Sequence, residues 1–206
     1  MLKILGRLSS VNVQKVVWCA DELGLAYERT DVGGKFGIND TPGYLAKNPN
    51  GLVPTIEEDG FVLYESNAIC RYFAARDPRA RLWPEDVRAR ADADRWMEWQ
   101  STSYTPAMTA IFWQLIRTPV DQRDAKAIEA SRAKSERLTG ILDAHLASRE
   151  WIAAERFTAA DIVVGCAVHR WLLLPIERED RPHVRRWYET LKARPASHQV
   201  TLQPLS

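Results

Sequence analysis

Features of secreted, membrane-spanning and disulfide-stabilised proteins are scarce in this sequence. Its 206 residues include only three cysteines, Cys19, Cys70 and Cys166, and no CxxC pair. An odd number of widely spaced cysteines is typical of a reducing compartment and argues against a disulfide scaffold. No apolar run approaches the roughly 18 residues of a transmembrane helix, and the apolar run at the N-terminus is too short for a signal peptide. We therefore expect a cytoplasmic protein without a membrane partner.

An excess of charge of one sign is also missing. Lysine and arginine number 28 against 27 aspartate and glutamate, a formal net charge of +1, and neither half of the chain is strongly basic. Phosphate backbones and anionic lipids require such a basic surface, so nucleic acid is not an expected partner. The four histidines are too dispersed for a local metal site, and we expect no metal.

What the sequence does contain is a globular composition, with 46% hydrophobic and 27% charged residues. The first third alternates predicted strands with predicted helices. Residues 2–5 form a short strand, and residues 26–32 alternate like a second one. Between them, apolar residues at helical spacing predict a helix that ends at Gly24. These residues are Val13, Val16, Val17 and Ala20.

The remainder of the first domain predicts a brief helix, a hairpin and a third helix. The brief helix begins with Thr41 as its cap, the hairpin turns at residues 58–60, and Ser66 is expected to cap a helix that ends near Ala75. The predicted order is β-α-β-α-β-β-α with a mixed sheet, over residues 1–78.

A proline-containing linker, residues 79–86, separates this domain from an all-helical domain, residues 87–206. Pro106 lies inside the first long helix and is expected to kink it, because proline removes one intrahelical donor. Thr158 and Asp161 fit a capping box, whose role is in folding and not in catalysis. The helical periodicity covers about 87–117, 122–148, 158–174 and 181–193.

Pro54 is the most informative position of the first domain. Proline cannot donate to a sheet ladder, so within an apparent strand it requires an edge or a special turn. After Asn50-Gly51-Leu52-Val53 it is a candidate for a cis peptide bond, which would leave the main chain of Val53 free for an extended peptide-like ligand. A plain trans turn proline is the alternative, and it is the more frequent arrangement.

Two helix starts could bind anions. Glu65 and Ser66 immediately precede or begin a helix, where free amides suit a carboxylate, although capping alone also explains Ser66. Ser9 and Ser10 lie between the first strand and the first helix. A hydroxyl there could donate a hydrogen bond to a thiolate and lower the thiol pKa, or it could be a solvated cap.

Three segments in order and register carry a family resemblance: NVQKVVWCADELGLAYE, NPNGLVPTI and LYESNAICRYFA. They resemble the cytosolic glutathione transferases, especially bacterial, serine-type members similar to the theta and beta classes. The segment FTAADIVVG in the helical half resembles the capping-box segment of that family. The resemblance implies a thioredoxin-like N-terminal domain that binds glutathione as a co-substrate, and a helical domain with a second-substrate pocket.

The resemblance also implies roles for the first domain's candidate residues. Val53, beside a cis Pro54, would pair its main chain with the cysteinyl unit of glutathione. Glu65 and Ser66 would hold the γ-glutamyl amine and carboxylate. The loop that binds the glycyl carboxylate in the family departs most from a clear pattern, and Lys35 and Asn39 are its candidates.

Ser10 is the first choice as thiolate stabiliser, because it precedes Val16 by the spacing of the serine-type classes. Ser9 and Asn12 are close enough to compete with it. No tyrosine lies in this loop, and Cys19 is near the middle of the helix, so the tyrosine-type and cysteine-type classes do not fit.

Second-substrate contacts are expected from one face of the helix that contains Pro106. Tyr104, Met108 and Phe112 recur every four positions, and Trp113 is adjacent. This face could line the pocket or could pack in the core.

The expected activity is conjugation of glutathione, activated as its thiolate, to a small hydrophobic electrophile. Family members are generally homodimers, with the linker and first long helix as the expected contact. Two alternatives remain. One is another glutathione-dependent reaction, such as isomerisation, dehalogenation or peroxide reduction. The other is a non-catalytic transferase-like binding module.

Overall fold

The computed structural model describes residues 1–79 and 82–205. Within this part the chain forms two compact units. Unit 1 contains Met1–Trp83 together with Pro195–Gln203, and unit 2 contains Pro84–Arg194 and the residues after Gln203. Residues 80 and 81 of the predicted linker and the terminal residue 206 lie outside the described residues. The predicted boundaries at 78 and 87 stay predictions.

Unit 1 is built on a four-stranded mixed sheet with the order β2-β1-β3-β4. Strand β1 runs parallel to β2 and antiparallel to β3, which pairs antiparallel with β4. This confirms the predicted thioredoxin-like, mixed-sheet domain. The strands are β1 Leu2–Leu5, β2 Tyr27–Thr30, β3 Thr55–Glu58 and β4 Phe61–Tyr64, and the helices are α1 Val11–Leu23, α2 Pro42–Leu45 and α3 Ser66–Arg76.

Helix α1 forms the centre of unit 1 because its apolar residues recur at helical spacing. All four residues that predicted this helix are fully buried, and α1 packs against α3. The helix ends where predicted, at Gly24, which adopts a left-handed conformation with φ 68°. A residue with a Cβ is strained in that conformation, whereas glycine is not.

Unit 2 contains helices joined by loops and no strand in its described part, as predicted. Its α-helices are α4 Val87–Trp99, α5 Thr105–Phe112, α6 Ala125–Leu146, α7 Ala159–Leu173 and α8 Pro182–Lys192. Two π-helical segments, Gln100–Tyr104 and Trp113–Arg117, join and extend α4 and α5 into the continuous helical stretch predicted for 87–117. The first of them ends two residues before Pro106, the position expected to disturb the helix. Within the described ranges, no helix combines the length and apolar character that crossing a membrane requires.

A short C-terminal helix, α9 His198–Thr201, was not predicted. It belongs to unit 1, where Val200 is buried and the Gln199 side-chain amide donates a hydrogen bond of 2.8 Å to Asp21. Four residues are too few for a periodic signal, so tertiary contacts decide this element.

Candidate functional site

The peptide bond between Val53 and Pro54 is cis, which confirms the candidate from the sequence. It directly precedes β3. In the described part of the chain, neither the N–H nor the C=O of Val53 forms a hydrogen bond. The side chain of Val53 lies close to the end of β1: a Cβ built on Gly6 would stand 3.3 Å from the Val53 Cβ. An unpaired main chain beside the β1–α1 loop is suited to pairing with an extended ligand.

A buried polar cluster holds the loop that leads to Val53. The hydroxyl of Tyr44 donates to the carbonyl of Leu52 at 2.6 Å and shares a hydrogen bond of 2.9 Å with the hydroxyl of Thr55. The Asn48 side-chain amide donates to the same two groups, at 2.9 and 3.1 Å. Burial raises the pKa of the Tyr44 hydroxyl, so it stays a neutral donor. Leu52 and Thr55, which flank Val53 and Pro54, are therefore held in place by the side chains of Tyr44 and Asn48.

For glutathione, the ligand that the family resemblance implies, we predict that Tyr44→Phe raises KM several-fold with little change in kcat. The substitution removes the hydroxyl from Leu52 and Thr55 but keeps the ring, and a typical lost hydrogen bond costs about 0.5–1.5 kcal/mol. Steady-state kinetics check this result. Tyr72→Phe is the matched control, because its hydroxyl bonds Glu58 at 3.0 Å. A fall in kcat with unchanged KM would show that Tyr44 does not act by holding the loop.

The start of α1 presents free polar groups. Ser10 occupies the N-cap position of α1, with φ −85° and ψ 123°, but its side chain makes no capping hydrogen bond. Within residues 1–79 and 82–205, the side chains of Ser9, Ser10 and Asn12 form no hydrogen bonds, and all three are half-buried. Their groups, with the positive end of the α1 dipole, are available to an anion.

The start of α3 corrects one prediction. Ser66 is the first helical residue and not the N-cap, a position taken by Glu65 with φ 71° and ψ 108°. A positive φ at a non-glycine residue costs about 1–3 kcal/mol and recurs at functional sites. At this start of α3 the Glu65 side chain is exposed, whereas Ser66 is buried.

A lysine that the sequence analysis did not select lies against this helix start. Lys15 of α1 is 1% exposed, and its ammonium contacts the Ser66 hydroxyl at 3.4 Å and the Asn67 side-chain oxygen at 3.3 Å. Lys15 thus ties α1 to the Glu65–Asn67 turn. No sequence signal identifies this contact, because it joins residues about fifty positions apart.

The two candidates for the glycyl carboxylate have different surroundings. Lys35 is exposed, and its ammonium lies 5.2 Å from the centre of the Phe36 ring. The Asn39 side-chain amide donates a hydrogen bond of 2.8 Å to the carbonyl of Gly51. Asn39 therefore braces the turn that precedes Val53.

The four candidates for second-substrate contacts lie in the helical stretch of unit 2. Tyr104 is fully buried, its hydroxyl bonds that of Thr139 at 2.9 Å, and Met108 is also buried. Phe112 is buried beneath the guanidinium of Arg170, 4.1 Å from its ring centre. Trp113 is 51% exposed. Of these four side chains, Trp113 is the one most accessible from outside the chain.

Cys19, Cys70 and Cys166 are buried, and none of them forms a disulfide in the described part of the chain. Among the described residues, no group of three or more histidine, cysteine, aspartate or glutamate side chains could hold a metal ion.

Comparisons with known proteins agree with this architecture. The family profile described as "Glutathione S-transferase, N-terminal domain" matches residues 9–76, and "Glutathione S-transferase, C-terminal domain" matches residues 100–195. The chain is 39% identical to glutathione S-transferase GstB of Escherichia coli over 208 residues, covering 100% of both proteins. It is 30% identical to a probable glutathione S-transferase of Oryza sativa, covering 97% of this chain and 95% of that protein.

Among solved structures, the chain resembles the theta-class glutathione S-transferase of Xanthomonas axonopodis with glutathione bound. The TM-score is 0.96 at 42% sequence identity, over 100% of this chain and 99% of that one. The two matching domain profiles cover most of this chain, and the relatives named above align with 97–100% of it. This chain therefore belongs to the glutathione S-transferase family.

Proposed function

We propose that this transferase binds glutathione in unit 1, with Ser10 as the group that activates its thiol. One combination of features carries this assignment. The Ser10 hydroxyl at the start of α1 makes no capping hydrogen bond, and the main chain of Val53 makes no hydrogen bond in the described part of the chain. Gly6 lies beside Val53 and is the first residue of the loop that leads from β1 to Ser10, so this loop runs next to Val53.

The cysteinyl unit would pair its main chain with the N–H and C=O of Val53. Glu65 would accept a hydrogen bond from the γ-glutamyl amine, and the α-carboxylate would bind the Ser66 hydroxyl and main-chain amides at the start of α3. Lys15 beneath Ser66 adds positive charge at that point. Lys35 and Asn39 remain candidates for the glycyl end.

The reaction then needs no covalent enzyme intermediate. The thiol loses its proton to solvent, and Ser10 donates a hydrogen bond to the resulting thiolate, assisted by the α1 dipole. The sulfur attacks the electrophilic carbon, a carbon–sulfur bond forms, and the leaving group departs with its electron pair. The enzyme supplies nucleophile activation and proximity.

The proposed second substrate is a small hydrophobic electrophile. Of the four candidates, Trp113 is the proposed apolar contact because its side chain is exposed, whereas Tyr104, Met108 and Phe112 are buried, as the alternative of core packing predicts. We further propose a homodimer located in the cytoplasm. The mass of the protein in solution, from light scattering, tests the dimer.

Thiolate absorbance of bound glutathione as a function of pH tests the proposed function. We expect the thiol to titrate well below its value in free glutathione, and the protein to conjugate glutathione to an activated aryl halide. Binding without a pKa shift and without conjugation would favour a non-catalytic binding module. Binding with a shift but without conjugation would favour another glutathione-dependent reaction.

A further inference from the structure

Arg7 is a cation beside the proposed site, and its side chain has no partner among the described residues. Its main chain is fixed, since its N–H donates to Val32 at 3.1 Å and its carbonyl accepts from the N–H of Ser10 at 3.1 Å. Its guanidinium, by contrast, forms no hydrogen bond or ion pair with any residue of the described ranges. The residue is half-buried, and leaving a partly desolvated charge unpaired is costly. The surroundings of this guanidinium therefore favour an anion from outside the chain.

Two glycines form the surface on which the Arg7 side chain lies. A Cβ built on Gly33 would stand 2.7 Å from Nη1 of Arg7, and one built on Gly34 would stand 3.1 Å from its Nε. Both glycines have positive φ, 84° and 59°. Gly33 also borders Val53, because the same Cβ would stand 3.4 Å from Cγ1 of Val53. The guanidinium is thereby held next to the residue proposed to pair with the cysteinyl unit.

The neighbouring charges do not neutralise Arg7. Asp31, the acidic residue nearest in sequence after β2, forms an ion pair with Arg29. Lys35, which directly follows Gly34 in the sequence, is exposed. The Asn39 side-chain amide is already hydrogen-bonded to the carbonyl of Gly51. Among these residues Arg7 is the half-buried cation that is free to bind an anion next to Val53.

We propose that Arg7 binds the glycyl carboxylate of glutathione. This assignment rests on the proposed function, in which the cysteinyl unit pairs with Val53 and the γ-glutamyl end lies at Glu65 and Ser66. The remaining carboxylate is one residue beyond the cysteinyl unit, about 3.5 Å of extended chain. A planar guanidinium fork matches a carboxylate in a bidentate pair, which a lysine cannot do. Because Gly33 and Gly34 have no Cβ, the guanidinium can lie in the space where side chains at these positions would stand.

The test compares glutathione with its glycyl monoethyl ester, which lacks that carboxylate charge, by calorimetric titration. In the Arg7→Gln variant we expect glutathione to bind about ten- to a hundred-fold more weakly, as for a lost charged hydrogen bond. The ester should bind the wild type weakly and the variant equally weakly. Arg7→Lys should retain part of the preference for glutathione. Lys3→Gln, which removes an exposed cation of β1, is the matched control for net charge.

Several results would overturn the assignment. One is equal weakening of both ligands by Arg7→Gln in a variant whose thermal unfolding matches the wild type. Another is a preference for glutathione over the ester that disappears in Lys35→Gln and persists in Arg7→Gln. A third is an equal rise of the bound-thiol pKa for both ligands in Arg7→Gln, which would place the charge at the sulfur. Failure of the wild type to bind either ligand would instead contradict the proposed function itself.

Discussion

Replacing Ser10 with alanine is expected to raise the pKa of the bound glutathione thiol by about one to two units and to slow conjugation about ten- to a hundred-fold. A hydrogen bond to a charged group contributes about 1.5–3 kcal/mol, and each pKa unit corresponds to about 1.4 kcal/mol. The Ser10 hydroxyl is free to make such a bond, because it forms no capping bond to α1. Its loss removes a stabilising contact from the thiolate while the thiol form is little affected.

Thiolate absorbance against pH, measured at saturating glutathione, separates this effect from binding. The rate loss should be largest at neutral pH and smaller in alkali, where the bound thiol ionises without help. Ser9→Ala and Asn12→Ala, each lacking one polar group of the same loop, are the comparison variants. If one of them raises the thiol pKa while Ser10→Ala leaves it unchanged, that residue and not Ser10 activates the thiol.

Much of the fold could be predicted from local sequence patterns. The apolar spacing of α1, its end at Gly24 and the hairpin between β3 and β4 all lie where the sequence indicates them. The reason is that each of these three features is determined by residues close to one another in the sequence. Pro54 was also informative, because proline within a strand requires a special geometry, and the structure provides one.

The parts that the sequence did not predict depend on contacts between distant residues. Lys15 reaches Ser66 across about fifty positions, and Arg7 lies against Gly33 because β1 and β2 are adjacent in the sheet. The positive φ of Glu65 has no local signal either, since glutamate ordinarily avoids that conformation. The family resemblance supplied the candidate residues of the site, whereas the contacts that hold those residues in place could be seen only in the folded chain.

Replacing Asp161 with alanine is expected to lower the free energy of unfolding by about 3–5 kcal/mol at pH 7. The carboxylate is fully buried at the start of α7 and completes the predicted capping box with Thr158. It accepts hydrogen bonds from the Thr158 N–H at 2.8 Å, the Ile152 N–H at 3.0 Å and the Trp187 indole N–H at 2.9 Å. Alanine leaves these donors buried without an acceptor, at about 1–3 kcal/mol for each group, reduced by local relaxation.

Asp86→Ala provides the matched control in the same unit. Asp86 also caps a helix, accepting the N–H of Ala89 at 2.8 Å, but it is exposed. Its loss should cost about 0.5–2 kcal/mol, the usual contribution of a cap. Chemical denaturation measures both variants. Equal costs for the two substitutions would show that the buried contacts to Ile152 and Trp187 contribute nothing beyond capping.

The pH dependence of the Asp161 contribution follows from the same burial. Desolvation raises the pKa of its carboxyl to about 6 in the folded protein, despite the hydrogen bonds that lower it. An unfolded aspartate titrates near 3.9, so between about pH 4 and 6 the folded state binds more protons and stability falls as pH rises. Two pKa units correspond to about 3 kcal/mol.

The difference in unfolding free energy between wild type and Asp161→Ala should therefore be larger at pH 4 than at pH 7. A difference that grows from pH 4 to 7 would mean that the hydrogen bonds outweigh desolvation and hold the folded pKa below that of the unfolded chain.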